Sequence, residues 1–212
     1  MDALTRAFVP MSAAEQRLVV SAYRLLGEGL PVDPQDLADP TGWRREEVDA
    51  WLTSWPAVYL DAEGRVVGLG GIAVEAVSPH VLRIDGCEPT WMWCALDPLF
   101  IVPLLSVDSA VTSTCPTTGA AITLRLGSNG GVESEPASVV MSLLVPDGPL
   151  GADVRETFCH FVHFFASPAA AEAWVAEHPG TFWLPLAEAA HLGHRLALQA
   201  FPALSRPSRA RG

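Results

Sequence analysis

In the first part of the chain, apolar residues recur at the spacing of an α-helix. Leu18, Ala22 and Leu25 would lie on one face of a helix over residues 12–28. Ser12 stands three residues before a glutamate, which is the spacing of a capping box at the start of that helix. The pattern therefore predicts a first helix that buries one face against a core.

Two shorter helices and a β-hairpin are predicted next. Asp33 followed by a proline is typical of a helix N-cap and first turn, and it predicts a short helix that ends near residue 38. A third helix is predicted over residues 44–54. The short apolar runs 58–60 and 65–69 flank a turn, and this arrangement predicts a β-hairpin.

Three helices followed by a hairpin outline a winged helix. We therefore predict a winged-helix-like N-terminal domain over residues 1–78 and, because the pattern changes near Pro79, a second domain over residues 79–212. The predicted fold class is α+β: an N-terminal three-helix winged-helix-like subdomain followed by a mixed or antiparallel β-sheet domain with flanking helices.

Short apolar or alternating runs predict the elements of the second domain. The predicted strands are residues 81–84, 110–114, 121–126, 139–145 and 158–165, and the predicted helices are residues 168–177 and 185–200. The runs 139–145 and 158–165 are apolar on both faces. Because a buried helix has the same pattern, both alternatives stay open for these two runs.

Charge argues against nucleic acid as a partner of the winged-helix-like part. The 212 residues carry a formal net charge of −11, and all 13 basic residues are arginine. Residues 1–75 hold 12 acidic and 6 basic side chains, a net charge of −6, whereas phosphate binding needs clustered positive charge. DNA binding stays open as an alternative, but the charge favours a structural or lid-forming subdomain.

Composition and cysteine content indicate a globular protein of a reducing compartment. Half of the residues are hydrophobic and 17% are charged, which is typical of a folded domain. Charged residues and prolines interrupt residues 1–20, so no signal peptide is predicted, and the chain lacks the apolar run of about 18 residues that would predict a membrane span. We expect a cytoplasmic protein with no membrane partner.

The four cysteines include no C-x-x-C pair, and in the cytoplasm catalytic or metal-binding thiols are favoured over disulfides.

The segment from Trp91 to Pro98 places a thiol and a carboxyl group among large apolar side chains, where a carboxylate needs a partner or a chemical task. If Asp97 is the N-cap of a helix that runs to Leu105, Cys94 lies just ahead of the helix, and backbone N–H groups lower the pKa of the Asp97 carboxyl. If the helix begins earlier, Cys94 and Asp97 share one face, and an apolar pocket would raise the pKa of Asp97. The sequence leaves both alternatives open, together with that of Asp97 as a plain structural N-cap.

A second thiol, Cys159, lies in an aromatic-rich run. If this run is a strand, Cys159, Phe161 and His163 project to one face and His160 to the other. The Cys-His-x-x-His sequence resembles a zinc-ligand pattern, but strand alternation separates His160 from the other two residues, which disfavours zinc. An inert buried cysteine remains the alternative.

Five blocks of the sequence, in their order and spacing, resemble the bacterial organomercurial (alkylmercury) lyases. The blocks are Trp93-Cys94-Ala95-Leu96-Asp97, Cys115-x-x-Thr118-Gly119, Met141-x-Leu143, Phe158-Cys159-x-x-Val162-His163-Phe164-Phe165 and Ala171-x-x-Trp174. The resemblance covers roughly residues 80–178, and the first and fourth blocks are specific in combination. The N-terminal helices match the family in layout more than in sequence.

The resemblance implies that the second domain is a catalytic lyase domain that cleaves carbon–mercury bonds by protonolysis in mercury detoxification. Cys94 and Cys159 would be the two mercury-binding thiols, and Asp97 would be the catalytic carboxylate beside the metal. Cys115 matches a family cysteine regarded as structural. His160 departs from the family members that have a second, adjacent cysteine, which bears on mercury hand-off rather than on the cleavage.

The implied chemistry needs no organic cofactor. Two thiolates on the soft metal push electron density onto the carbon, and an adjacent carboxylic acid protonates that carbon, giving a hydrocarbon and Hg²⁺ held by two thiolates. External thiols would be needed for turnover, and mercuric reductase or small thiols would accept the Hg²⁺. No role is assigned to Cys87.

The alternative to a lyase is a non-catalytic soft-metal-binding or sensor protein. The acidic N-terminal part and the presence of Asp97 beside both thiols disfavour this alternative.

Overall fold

The structure is a computed structural model that describes residues 2–128, 130–151 and 153–203, so residues 204–212 of the predicted second domain lie outside the described residues. Four helices come first. They are α1 (Asp2–Ala7), α2 (Ala13–Leu26), α3 (Pro34–Thr41) and α4 (Arg45–Ser54). The last three confirm the predicted helices, whereas α1 was not predicted.

Capping interactions explain where α2 and α3 begin. Ser12 Oγ accepts the Glu15 N–H at 3.3 Å, and the Glu15 carboxylate accepts the Ser12 N–H at 2.7 Å, which completes the predicted capping box. Asp33 caps α3 by accepting the Gln35 N–H at 2.8 Å. α3 extends beyond its predicted end to a left-handed termination at Gly42, whose φ is 73°.

An eight-stranded antiparallel sheet runs from the N-terminal hairpin into the second half of the chain. Its strands are β1 (Val58–Leu60), β2 (Val66–Leu69), β3 (Ile72–Ala73), β4 (His80–Ile84), β5 (Thr90–Met92), β6 (Ser109–Thr114), β7 (Ala121–Leu126) and β8 (Val132–Glu135). The strand order is β1-β2-β3-β5-β4-β6-β7-β8. The predicted hairpin is β1-β2, and β3 pairs Ile72 with Met92 of β5. The hairpin is therefore connected, through β3, to the strand that leads to Cys94.

A second, three-stranded sheet lies beside the first. Its central strand is β9 (Val140–Leu144), flanked by β10 (Phe164–Phe165) and β11 (Thr181–Pro185). Both partners pair with β9 in antiparallel register. Strand β9 confirms the predicted strand over residues 139–145.

Four further helices complete the second half of the chain. They are α5 (Leu96–Leu105), α6 (Val154–Thr157), α7 (Pro168–Glu177) and α8 (Leu186–Ala200). Helix α5 is apolar on nearly all sides because it is buried in the core, and α8 crosses it at Gly193. A Cβ at Gly193 would lie 2.6 Å from the Leu99 carbonyl oxygen, so only glycine permits this close helix packing.

The predicted strand over residues 158–165 is wrong. This stretch follows α6 with a short 3₁₀ turn, Cys159–Phe161, and only Phe164–Phe165 belong to a strand. The Phe158 N–H donates to the Val154 carbonyl at 3.0 Å, so the backbone continues in helical hydrogen bonding before it becomes extended. A largely apolar run fits a buried strand or a buried helix equally well, and here tertiary contacts decide.

Helices and antiparallel sheets together confirm the predicted α+β class, with a helical N-terminal part and a sheet-dominated second part. Among the described residues, the structure has no helix that is long and apolar enough to cross a lipid bilayer.

Candidate active site

Cys94 and Asp97 are positioned by the start of helix α5. Strand β5 ends at Met92, and the helix begins at Leu96, one residue ahead of Asp97. Asp97 is therefore not the N-cap, and the helix begins earlier, as the second alternative predicted. It begins by only one residue earlier, so Cys94 lies just ahead of the helix, as the first alternative predicted, and not on a shared helix face. The Asp97 carboxylate turns back and accepts the Cys94 N–H at 2.6 Å, so the thiol and the carboxyl group are joined within one helical turn.

Cys159 comes from the short 3₁₀ turn that follows α6. Because this stretch is not a strand, the predicted alternation of Cys159, Phe161 and His163 on one face does not occur. Cys159 is buried, while the neighbouring His160 is exposed. The Ala95 N–H donates to the Val162 carbonyl at 3.0 Å, which ties the turn directly to the segment that carries Cys94.

The structure brings the three predicted site residues together. The Cys94 and Cys159 sulfurs and a carboxylate oxygen of Asp97 all lie within 4.8 Å of one another. Within residues 2–128, 130–151 and 153–203, this is the one group of three or more cysteine, histidine and acidic side chains that converge at metal-binding distance. Two sulfurs and one carboxylate form a donor set that suits a soft metal.

Burial controls the protonation of these groups. It raises the pKa of the Asp97 carboxyl to about 7, although hydrogen bonding from Cys94 acts in the opposite direction. Burial also raises the pKa of the Cys94 thiol well above its ordinary value, and the Cys159 thiol and the Asp97 charge raise it further. The resting site thus holds a protonated Cys94 thiol beside a carboxyl group that titrates near neutral pH.

An apolar cavity of about 100 Å³ opens onto the site. Asp97 and Cys159 line it, and Cys94 lies behind them, completely buried. The other lining side chains are mostly aromatic or aliphatic and include Phe8, Met11, Tyr23, Trp55, Trp93, Leu96, Phe100, Val154, Phe158 and Phe201. Such walls accept a hydrocarbon group and exclude water from the reacting atoms.

Several of these wall residues were not identified from the sequence. Tyr23 lies in α2, whereas Phe8 directly follows α1 and Trp55 directly follows α4. Gly70 and Gly71 form the turn between β2 and β3. The helical pattern predicts that Tyr23 lies in a helix but gives no sign that it faces a site. The glycine pair directly after an apolar run was a visible signal of close backbone approach.

The other two cysteines lie apart from the site group. Cys87 is partly exposed in the turn after β4, and Cys115 is buried after β6. Burial would raise the pKa of the Cys115 thiol, but hydrogen bonds from Thr118, Ala166 and Thr117 outweigh it and lower that pKa. The turn that contains Cys115 is joined to α7 by the Thr117 hydroxyl, which donates to the Ala170 carbonyl at 3.0 Å, and this suits the structural role that the family resemblance implied.

The two histidines near Cys159 are not members of the site group either. His163 Nε2 lies 2.7 Å from the His160 carbonyl oxygen, and burial lowers the pKa of the His163 imidazole. The suspected Cys-His-x-x-His pattern therefore does not form a three-ligand cluster in the described part of the chain.

Comparison with known families gives matches along almost the whole chain. The family model described as alkylmercury lyase matches residues 75–198, and the model described as the helix-turn-helix domain of alkylmercury lyase matches residues 1–70. The two models together account for both the sheet-rich part and the helical N-terminal part.

Individual relatives agree with these matches. The chain is 39% identical over 180 residues to an alkylmercury lyase of Pseudomonas putida, covering 85% of this chain and 82% of that protein. It is 36% identical over 195 residues to an alkylmercury lyase of Streptomyces lividans, covering 91% and 88%. The crystal structure of the mercury-bound form of MerB2 has the same fold, with a TM-score of 0.72, 23% identity and coverage of 95% of this chain and 96% of that one.

Proposed function

The chain belongs to the alkylmercury lyase family, and from this premise we propose that Cys94, Asp97 and Cys159 carry out the cleavage of carbon–mercury bonds. The observation that supports the proposal is the convergence of two sulfurs and one carboxyl group within 4.8 Å beside an apolar cavity.

The first step is capture of the mercury by sulfur. Mercury is soft and binds thiolate in preference to oxygen or nitrogen. Because the pKa of the Cys94 thiol is raised by burial, that thiol is protonated at rest and must lose its proton as the sulfur binds the metal. The Asp97 carboxylate is the adjacent base that can take this proton, and its pKa near 7 makes it able to hold it.

The second step is proton delivery to carbon. With Cys94 and Cys159 both bound, the metal pushes electron density onto its carbon, and the Asp97 carboxylic acid protonates that carbon as the bond breaks. In balance, R–Hg⁺ and two thiols give R–H, a dithiolate-bound Hg²⁺ and one released proton. The residues need no organic cofactor for this sequence, and the apolar walls keep water from competing for the proton.

Turnover requires removal of the Hg²⁺ product. Two protein thiolates bind Hg²⁺ tightly, so an external thiol must exchange with them, and small thiols or mercuric reductase are the proposed acceptors.

We assign residues 1–78 to an N-terminal domain and residues 79–212 to the lyase domain. The acidic charge of residues 1–75 supports a part in the lyase rather than in nucleic-acid binding, and reduced thiols fit a cytoplasmic location.

The test supplies phenylmercury with excess small thiol and measures the benzene released. We expect turnover by the wild-type chain, a loss of at least about 100-fold in Cys159→Ser because a hydroxyl binds mercury poorly, and no loss in the matched variant Cys87→Ser. Binding of phenylmercury by the wild-type chain without release of benzene would indicate a mercury-binding protein instead. Activity retained in Cys159→Ser and lost in Cys87→Ser would mean that the wrong thiol is assigned.

A further inference from the structure

Gly70 and Gly71 form the turn between β2 and β3, and Gly71 packs so closely against Asp97 that there is no room for a side chain at this position. We propose that this double-glycine turn seats the Asp97 carboxyl group for proton delivery, and that Tyr23 is a positioning residue that holds the turn in place. The inference depends on the proposed role of Asp97 as proton donor.

Gly71 is in direct contact with the carboxyl group. A Cβ built at Gly71 would lie 2.7 Å from Asp97 Oδ1 and 2.9 Å from its carboxyl carbon, closer than real Cβ contacts permit. The φ of Gly71 is also 116°, a conformation that side chains other than glycine rarely adopt. The backbone itself therefore forms the wall against which the carboxyl group rests.

Tyr23 fixes the position of this wall. Its side chain is almost completely buried, and its hydroxyl donates to the Gly70 carbonyl at 2.9 Å. Burial, followed by the charge of nearby Asp97, raises the pKa of Tyr23, so the phenol stays protonated and remains a donor. The hydroxyl does not act on the substrate; it acts through the turn.

The double-glycine turn is also tied to the rest of the site. The Trp93 N–H donates to the Gly71 carbonyl at 2.9 Å, one residue ahead of Cys94. The Gly70 N–H donates to the Ala57 carbonyl at 2.9 Å, at the end of the segment that leads into β1. These bonds link the N-terminal helices, the hairpin and the Cys94 segment, so a shift of the turn would shift the carboxyl group relative to the two sulfurs.

This arrangement gives the N-terminal part a direct effect on the chemistry. Small errors in the placement of a reacting group reduce the rate strongly, even when binding is retained. We therefore expect that disturbing the turn lowers kcat for hydrocarbon release while the two thiols continue to bind mercury.

The first experiment removes only the hydroxyl group of Tyr23. In Tyr23→Phe we expect kcat for benzene release from phenylmercury to fall about 10-fold, with KM within about twofold and an unchanged stoichiometry of Hg²⁺ binding measured by thiolate-to-mercury absorption. The control is Tyr59→Phe, which removes the hydroxyl of the other tyrosine in the chain and should leave kcat unchanged.

The second experiment adds a methyl group to the turn. In Gly71→Ala we expect a loss in kcat of about 100-fold. Gly64→Ala is the matched control, because Gly64 also has a positive φ, 78°, but a Cβ there would meet no atom within 4 Å. Both substitutions strain the backbone. Only Gly71→Ala should have a lower kcat when kcat is calculated per chain that binds Hg²⁺.

The inference is overturned if Tyr23→Phe and Gly71→Ala retain wild-type kcat, or if kcat falls only in proportion to the fraction of chains that still bind Hg²⁺. The latter result would mean that Tyr23 and the turn serve folding alone. Failure of the proposed function has a different signature, because the wild-type chain would then release no benzene.

Discussion

The two segments that carry the thiols are held in place in different ways. Cys94 and Asp97 lie at the start of α5, and the bond of 2.6 Å from the Cys94 N–H to the Asp97 carboxylate joins them within four residues. Cys159 lies in a short 3₁₀ turn whose own backbone bonds reach only from Phe158 to Val162, and the chain directly after the turn is hydrogen-bonded to β9. The first segment is organised by local helix geometry, whereas the second depends on contacts from distant parts of the chain.

Ser142 supplies such a distant contact. It is completely buried on β9, its hydroxyl donates to the Phe161 carbonyl at 2.8 Å, and it accepts the His163 N–H at 2.9 Å. The Ser142 N–H donates in turn to the His163 carbonyl at 2.9 Å. One small side chain therefore satisfies the irregular backbone directly after Cys159, a task that a helix or strand would perform through its own hydrogen bonds.

The difference suggests which substitutions alter chemistry and which alter geometry. A change at Asp97 should remove the proposed proton donor but leave the local helix start intact. A change at Ser142 should leave every reacting group present but loosen the position of one sulfur.

The largest expected effect is that of Asp97→Asn. The amide is isosteric and can still accept the Cys94 N–H, but it cannot deliver a proton to carbon. We expect hydrocarbon release to fall by about 10²–10⁴-fold, the usual contribution of a positioned acid, while phenylmercury still binds.

The control for this variant is Asp108→Asn. Asp108 also accepts a backbone N–H, from Ser128 at 2.7 Å, but it lies outside the site. Normal benzene release by Asp97→Asn in a single-turnover assay would contradict the assignment of Asp97 as the acid.

A smaller effect is expected from Ser142→Ala. The substitution leaves the Phe161 carbonyl and the His163 N–H without their buried partner, so the free energy of unfolding should fall by about 1–3 kcal/mol. Because Cys159 is then less firmly positioned, we expect hydrocarbon release to fall about 10-fold, measured on folded protein well below the unfolding transition.

Ser138→Ala is the matched control for that experiment. Ser138 is exposed just ahead of the same strand, and its hydroxyl donates to the Ala166 carbonyl at 2.7 Å. Equal effects of the two substitutions on activity would show that Ser142 has no special connection to Cys159.

The smallest expected effect is a dependence of stability on pH that comes from Asp97. The pKa of Asp97 is raised from 3.8 to about 7 in the folded chain, chiefly by burial. Between these values the folded state binds more protons than the unfolded state, so the contribution of Asp97 is fully present below pH 3.8 and is lost as pH rises through about 7.

Denaturant unfolding at a series of pH values tests this linkage. The difference in free energy of unfolding between Asp97→Asn and the wild-type chain should shift in favour of the variant from pH 5 to pH 8, because the variant buries no charge. If the difference in free energy of unfolding stays constant over this range, burial does not raise the pKa of Asp97.

Much of the fold followed from local patterns. The helices α2, α4, α7 and α8, the hairpin β1-β2 and the strands β4, β6, β7 and β9 lie where periodicity and caps predicted them. The capping box at Ser12 and the N-cap at Asp33 formed as expected, because the side chains that satisfy a helix start are its immediate neighbours in sequence.

The site itself was predicted in part. The spacing of Cys94 and Asp97 in a helical turn was sufficient to place a thiol and a carboxyl group together, and the family resemblance indicated Cys159 as the second thiol. The sequence did not decide whether the helix begins before Asp97, because the competing N-cap pattern was equally well formed. It also left strand and helix open for the run that carries Cys159, since an apolar run without alternation does not distinguish them, and it did not indicate the 3₁₀ turn.

The sequence by itself determined the local elements and the types of reacting group, since periodicity and capping act over a few residues. Only the tertiary structure decided that Cys159 approaches Cys94, that Tyr23 reaches a turn 47 residues away, and that burial places the pKa of Asp97 near 7. These outcomes depend on which distant surfaces pack together and on how much water that packing removes, and neither quantity is encoded in the spacing of residues along one segment.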